Sequence, residues 1–256
     1  MIVDHRPMAV YADNVEVAKD LRKYLRGKTT MSLLPDFYIL DISGMSDEDY
    51  QYVKFCTIIK VVGEDKSILC LGKIRNIYRQ QNDMNELTTI SIADGMDFYN
   101  SLANASIGRG ASIRNTLISV LGGFPLASYL ADDARLTRGQ VYLDRLPDVV
   151  SMLARSVRAR AFFTQSQVHV VKHKATSSVL FIPDKEIIEN PGLTNGVCVV
   201  KTKVKGYPVG LMTQLEGSEK QYRLVMQSLD ADCWVGEWNS ELTLIDEDAV
   251  DDMGSG

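Results

Sequence analysis

Cysteine, histidine, proline and tryptophan are all scarce, with four, three, seven and two copies in 256 residues. The cysteines, Cys56, Cys70, Cys198 and Cys233, stand far apart and show no C-x-x-C spacing. That pattern gives no support to a zinc ribbon or a redox motif, and the thiols read as small buried hydrophobes inside strand-like runs. Only His5, His169 and His173 are available as bases, and none stands in a recognisable nucleophile setting. There is no G-x-S-x-G, and no carboxylate pair is placed by spacing for glycoside hydrolysis. Long apolar runs are missing too. The stretch 56–62 is broken by Lys60, and nothing reaches the roughly 18 residues that a spanning helix needs. At the N-terminus, Asp4 and His5 precede any apolar stretch and no small-residue cleavage site follows. The expectation is a protein without a secretory signal, assembled in a cytoplasm and not associated with membrane.

What is present is ordinary globular composition, with 45% hydrophobic and 24% charged residues, enough to fill two or three lobes. The net charge of -5 is unevenly spread. Residues 135–174 carry eight Lys/Arg against two Asp/Glu, a balance of +6, and residues 176–256 carry six against fourteen, a balance of -8. Such a split marks docking or solvated faces.

Short β-branched runs punctuated by turn residues dominate. FYILDI at 37–42, then 54–62, 67–78 and 86–93 predict an antiparallel meander. Ser46, with Asp49 three residues on, predicts a capped helix over SDEDYQYV. Val17, Leu21, Tyr24 and Leu25 fit helical spacing, so 15–25 is assigned to helix in preference to strand. Ser112 predicts a helix N-cap, with a stop at Gly122 and Gly123, and Pro147 suits the first turn of DVVSMLARSV. A hairpin over 159–172 turns at Gln165 and Ser166, which completes a small α/β lobe. Further strands are expected at 178–183, 197–206, 209–217, 222–230 and 241–245, before an acidic tail expected to be disordered.

The chemical candidates each carry a plainer reading. Gly108, Arg109 and Gly110 before Ser112 could hold an anion at a helix start, but the element lacks the Lys of a phosphate loop and the full G-x-G-x-x-G. His169 and His173, four apart, would share a helix face, yet VHVVKH reads as a strand, where they lie about 13 Å apart. Asp230 and Asp232 read as a hairpin end. Trp238, between Gly236 and the strand ELTLI, reads as a packing residue. Arg155, Arg158 and Arg160 lack interleaved aromatics and read as a solvated or partner-facing helix. No catalytic, cofactor-binding or metal-binding residue is assigned.

One longer pattern remains. Asp94-Gly95 ending a strand, the aromatics Phe98 and Tyr99, the S-x-G-x-G-x-S turn from Ser106 to Ser112 and the helix after it resemble phage tail baseplate hub proteins. DRLPDVVSMLARSVRARAFFTQSQVHVV resembles that family's helix and hairpin, and Gly236, Trp238, Ser240, Glu241 and Leu242 resemble its closing G-x-W-x-S-E-L. The resemblance spans 36–246. It implies an α+β protein with two antiparallel tail-tube-like β-barrel domains, 1–100 and 176–247, an intervening α/β lobe, 101–175, and a disordered tail, 248–256. It further implies a non-enzymatic homotrimer in the virion baseplate that joins the tail tube or distal tail protein to the tip or spike. The tape measure protein is a further expected partner, and DNA passes the central channel without specific binding. The competing readings are the hub-like base of a contractile injection or secretion spike, and an anion-binding α+β enzyme using Gly108, Arg109, Gly110 and Ser112.

Overall fold

A computed structural model describes residues 6–82, 85–234 and 236–251. The first region holds β1 (Ala9–Ala12), β2 (Val15–Val17), β3 (Lys23–Thr30), β4 (Asp36–Ser43), α1 (Asp47–Phe55), β5 (Ile58–Val62), β6 (Ile68–Asn82) and β7 (Asn85–Asp94). The lobe follows with α2 (Met96–Asn100), β8 (Ala105–Ile107), α3 (Ile113–Leu121), β9 (Leu126–Leu130), β10 (Gln140–Tyr142), α4 (Leu146–Ser156), β11 (Ala159–Thr164) and β12 (Gln167–Lys172). The last region holds β13 (Val179–Ile182), a 3-10 turn (Asp184–Glu186), β14 (Ile187–Thr194), β15 (Val197–Lys203), β16 (Met212–Leu215), β17 (Gln221–Asp232), β18 (Trp238–Ile245) and α5 (Glu247–Asp251).

Local chemistry places several of these ends. Ser46 Oγ accepts from Asp49 N–H and starts α1, and Ser112 Oγ accepts from Asn115 N–H and starts α3. Gly122, in the left-handed region at φ 60, stops α3. Gln165 and Ser166, at φ 50 and 62, make the tight β11–β12 turn.

The α+β class with antiparallel strands is the one expected, and the two β-rich regions share a single sheet. They join edge to edge, because β3 pairs antiparallel with β17 from Tyr24↔Asp232 to Thr30↔Met226. The resulting sheet has 13 strands and runs β14-β15-β18-β17-β3-β4-β7-β6-β5-β1-β2, with β13 and β16 branching from β17. Three apolar clusters lie behind it. One underlies the first region and takes in Leu229 and Ala231 from β17; a second fills the lobe around Phe98, Leu117, Val150 and Phe163; a third lies under Val200, Leu224 and Leu242. At Gly206 a Cβ would fall 2.1 Å from the Ile68 carbonyl oxygen, so only glycine lets the last region abut the first there.

Two expectations fail. The 15–25 segment is not a helix but β2, a turn and β3, with Ala18 and Asp20 at φ 52 and 56. Its periodicity arose from Val17 and Leu25 in the two strands and Leu21 in the turn, which face one core, while Tyr24 lies on the other face of the sheet. The acidic tail is ordered through α5: Glu247 is buried against Arg223, and Asp246 is buried and pairs with Lys220. Residues 252–256, and His5 at the other end, lie outside the described residues.

Candidate functional site

The large sheet turns one face to its cores and leaves the other open. Alternation does this, since residues directly opposite one another across a ladder share a face. One open row runs Glu189, Lys201, Glu241, Ser228, Lys28 across β14, β15, β18, β17 and β3. A second runs Lys203, Asn239, Asp230, Arg26, Ile39, Ser91, Asn76 from β15 to β6. A third, on the same face, runs Asp232, Tyr24, Asp41, Thr89, Tyr78, with Asp232 and Thr89 buried. Eight strands thus present a mostly polar surface, with Phe37 the large exposed apolar residue on β4.

Its charges alternate in sign. Lys201 Nζ lies 2.8 Å from Glu189, Arg26 lies 3.8 Å from Asp41, and Thr89 Oγ1 donates to Asp41 at 2.6 Å. At the rim Arg22 pairs with Asp232 at 2.5 Å, and that bond raises the guanidinium pKa. A surface so neutralised offers no continuous cationic track, which retention of a phosphate backbone requires.

The candidates from sequence do not converge on it. Gly108, Arg109 and Gly110 form an exposed turn on the lobe, and the Ser112 hydroxyl is committed to capping α3. His169 lies in β12, where burial lowers its pKa, its ring stacks on Phe162 at 4.9 Å and its Nδ1 lies 3.0 Å from Ser128 Oγ. His173 lies beyond the end of β12, beside Asp248. Cys70, Cys198 and Cys233 are buried and Cys56 is half-buried; burial raises all four thiol pKa values. Trp238 is a packing residue, but half-buried and set against the first core, with the Arg6 guanidinium 5.7 Å from its ring. Of the aspartates flagged together, Asp230 and Asp232, both lie at the β3–β17 seam, and Asp230 is on the open face. Among the described residues no three His, Cys, Asp or Glu come together as a metal site, and no helix is long and apolar enough to cross a membrane.

Between the first and third cores there is a 320 Å³ cavity lined by Tyr38, Cys70, Asp94, Phe162, His169 and Tyr207 among others. Beside it Asp36 and Asp94 stand opposite one another in β4 and β7. Burial pushes Asp36 up to about 7, against the pull of the Thr30 hydroxyl and N–H, and Asp94 adds to the rise. Burial likewise pushes Asp94 up to about 6, although it accepts from Ser166 N–H at 3.0 Å and from the Ser166 hydroxyl at 3.2 Å. Asp94 thereby ties the end of β7 to the β11–β12 turn. Sequence reading saw the Asp94-Gly95 dipeptide but not this pairing, which exists only once β4 and β7 are in register.

The arrangement defines a class: an α+β protein in which one wide antiparallel sheet carries an open polar face and three cores behind it. No model of a known protein family matches the chain, and no curated protein matches it in sequence. Solved structures do match. The 43 kDa tail protein of prophage MuSo2 from Shewanella oneidensis superposes with a TM-score of 0.69 at 8% identity, over 95% of this chain and 98% of that one. A tail protein from Neisseria meningitidis MC58 gives 0.66 at 11% identity, over 94% and 96%. An E. coli component of the type VI secretion system, described as structurally similar to the T4 bacteriophage tail proteins gp27 and gp5, gives 0.61 at 10% identity, over 92% and 76%. The chain has the fold of phage tail proteins.

Proposed function

We propose that this chain is a structural, non-catalytic baseplate hub of a phage tail, a homotrimer that closes a ring between the tail tube or distal tail protein and the tip or spike. The carrying observation is the fold likeness to two tail proteins along nearly the whole of all three chains. The open face supports it from the chemistry. A channel that releases DNA needs a wide polar wall without a cationic track, and the alternating rows Glu189–Lys201–Glu241 and Asp230–Arg26 fit that need. In this reading the ring passes DNA without specific binding, meets the tape measure protein on the tube side, and sits in the virion after assembly in the host cytoplasm. A closed rotational assembly is the usual form of a soluble homo-oligomer, and two β-rich regions per subunit let three subunits present six to a sixfold tube.

The charge split offers a docking force between the +6 lobe and the -8 last region of a neighbour. Part of that attraction is met within the chain, where Lys174 pairs with Asp248 at 2.6 Å and its N–H bonds Glu247. Particle averaging of the purified protein tests the reading: the expected image is a threefold ring with a central hole, and a monomer that persists with tube and tip partners added overturns it. Millimolar ATP or NAD is expected to leave the melting temperature unchanged, because ligand binding at the 108–112 turn would raise it by mass action. A second reading, the base of a secretion spike, draws on the likeness to the E. coli component. Neighbouring tape-measure and tail-tube genes favour the phage hub; neighbouring secretion genes favour the spike base.

A further inference from the structure

We infer that Asp36 and Asp94 form a proton-operated latch: while they hold protons they keep the β11–β12 turn of the lobe seated on the end of β7, and once charged they release it. The inference does not depend on the ring reading above. Geometry puts both carboxyls at the root of the ties between the sheet and the lobe. Asp94 accepts from the Ser166 N–H and hydroxyl in the turn itself. Asp36 accepts from the Thr30 N–H at 3.0 Å and from the Thr30 hydroxyl at 2.9 Å. That hydroxyl lies 2.9 Å from the Ser32 hydroxyl, and the Ser32 carbonyl takes the Phe163 N–H of β11 at 2.8 Å. Directly after Asp94 the chain leaves the sheet for the lobe through Gly95, at φ 82, where a Cβ would fall 2.9 Å from the Phe163 ring. That glycine is both the pivot and the seat of the ring. The cavity beside the seam, lined by Asp94, Thr164 and Gln165 among others, leaves the turn room to move.

A counterion is what the seam lacks. Asp36 and Asp94 are only 5% and 4% exposed and stand opposite one another in the ladder. Among the described residues neither pairs with Lys or Arg. The nearest cations along β3 and β6, Lys28 and Lys73, stand on the open face. Tyr38, Cys70, His169 and Tyr207 are the other titratable groups around the cavity, and burial favours the neutral form of each. Two neighbouring carboxylates without water or a cation are costly, so the closed seam retains protons that an open one gives up. Seated, the carboxyls are raised to about 7 and about 6; released into water, they return to about 3.9. Closure is therefore full below about pH 4 and is lost as pH rises towards 7, with opening favoured by up to about tenfold per pH unit for each group between its two values.

Amide hydrogen exchange of the full chain, read by mass spectrometry at pH 5, 6 and 7 and corrected for the intrinsic pH dependence of exchange, tests the latch. The segment from Phe163 to Gln167 is expected to lose protection by about tenfold or more between pH 5 and 7, and to exchange faster than α3 at pH 7. Asp36→Asn should reduce that loss, and Asp36→Asn with Asp94→Asn should abolish it. An equal loss in the double variant means that other groups titrate, and overturns the latch. So does a segment that exchanges no faster than α3 at any pH, because only unfolding of the whole chain then exposes it. Should the double variant not fold, the parent and Asp36→Asn decide: flat protection in the parent, or the same loss in both, overturns the inference, and a smaller loss in Asp36→Asn sustains it.

Discussion

The two halves of the joined sheet are held from behind by different physics. Under the first half the wholly buried centre is built of apolar side chains such as Leu25, Leu40, Ile42, Ile59 and Ile90, with the buried carboxyls Asp36 and Asp94 at one end. Under the second half the largest fully buried side chain is a cation. Arg223 gives two bonds to Glu247, at 2.9 and 3.0 Å, and its remaining N–H groups reach the carbonyls of Gly210, Ala175 and Lys172 at 2.7, 2.8 and 3.3 Å. Burial raises the Glu247 pKa, but the bonds from Arg223 and the Lys174 N–H outweigh it and leave the carboxyl below its ordinary value. An apolar centre tolerates small losses of volume, while an ion pair tolerates no loss of a partner, since a buried charge without its counterion keeps its full desolvation cost. The first half is thus built for graded stability, and the second half ties β17, α5 and the end of the lobe into a single arrangement.

The sharpest way to break this contrast is Glu247→Ala, which strands the Arg223 charge and should cost about 3–5 kcal/mol. Urea unfolding at pH 7 checks it, and a loss below about 1 kcal/mol would mean that the guanidinium finds water and the second half is not ion-anchored. The pH response should also divide the halves. The Asp36 pKa is raised to about 7 in the folded state against about 3.9 unfolded, so its contribution is full below about pH 4 and is lost as pH rises towards 7. The Glu247 pKa is lowered, so its contribution is present above its unfolded value of about 4.3 and is lost as pH falls. Melting curves from about pH 2 to 8 on Asp36→Asn should therefore show a shallower decline towards pH 7, the remainder belonging to Asp94, while keeping the acid-side decline. If the variant matches the parent at every pH, Asp36 is hydrated and titrates normally. In the apolar half, Ile42→Val should cost about 0.5–1.5 kcal/mol by the same unfolding assay, the price of one methylene in a packed site, and a cost as large as that of Glu247→Ala would erase the distinction. The smallest effect belongs to the open face. Lys201→Ala removes the exposed pair with Glu189 and should leave the unfolding midpoint almost unchanged, with any difference fading in high salt.

Much of the chain was legible where a few neighbouring atoms decide the outcome. The caps at Ser46 and Ser112, the stop at Gly122 and the Gln165-Ser166 turn each depend on bonds or φ values within four residues. β14 was missed although its signal was present, since Asn195-Gly196, at φ 49 and 76, is the N-G pair of a tight hairpin. Its exposed residues show no period-two burial, which is the cue that strand reading uses. The 15–25 segment was misread because its apolar spacing fits helix as well as two strands around a turn, and the left-handed Ala18 is held there by a bond from its N–H to Asp49 in α1.

The sequence alone determined the α+β class, the run of antiparallel strands, the lobe between them and the likeness to tail hub proteins, because alternation, turn chemistry and helix caps act over distances that the chain itself sets. Only the tertiary structure decided that β3 and β17 fuse two β-rich regions into one sheet, that Trp238 serves the first core rather than the last, that Asp36 faces Asp94, and that the tail residue Glu247 neutralises Arg223. These are pairings between residues whose partners are fixed by register and packing across the fold, and neither an edge strand's neighbour nor a buried charge's counterion is written in the residues beside it.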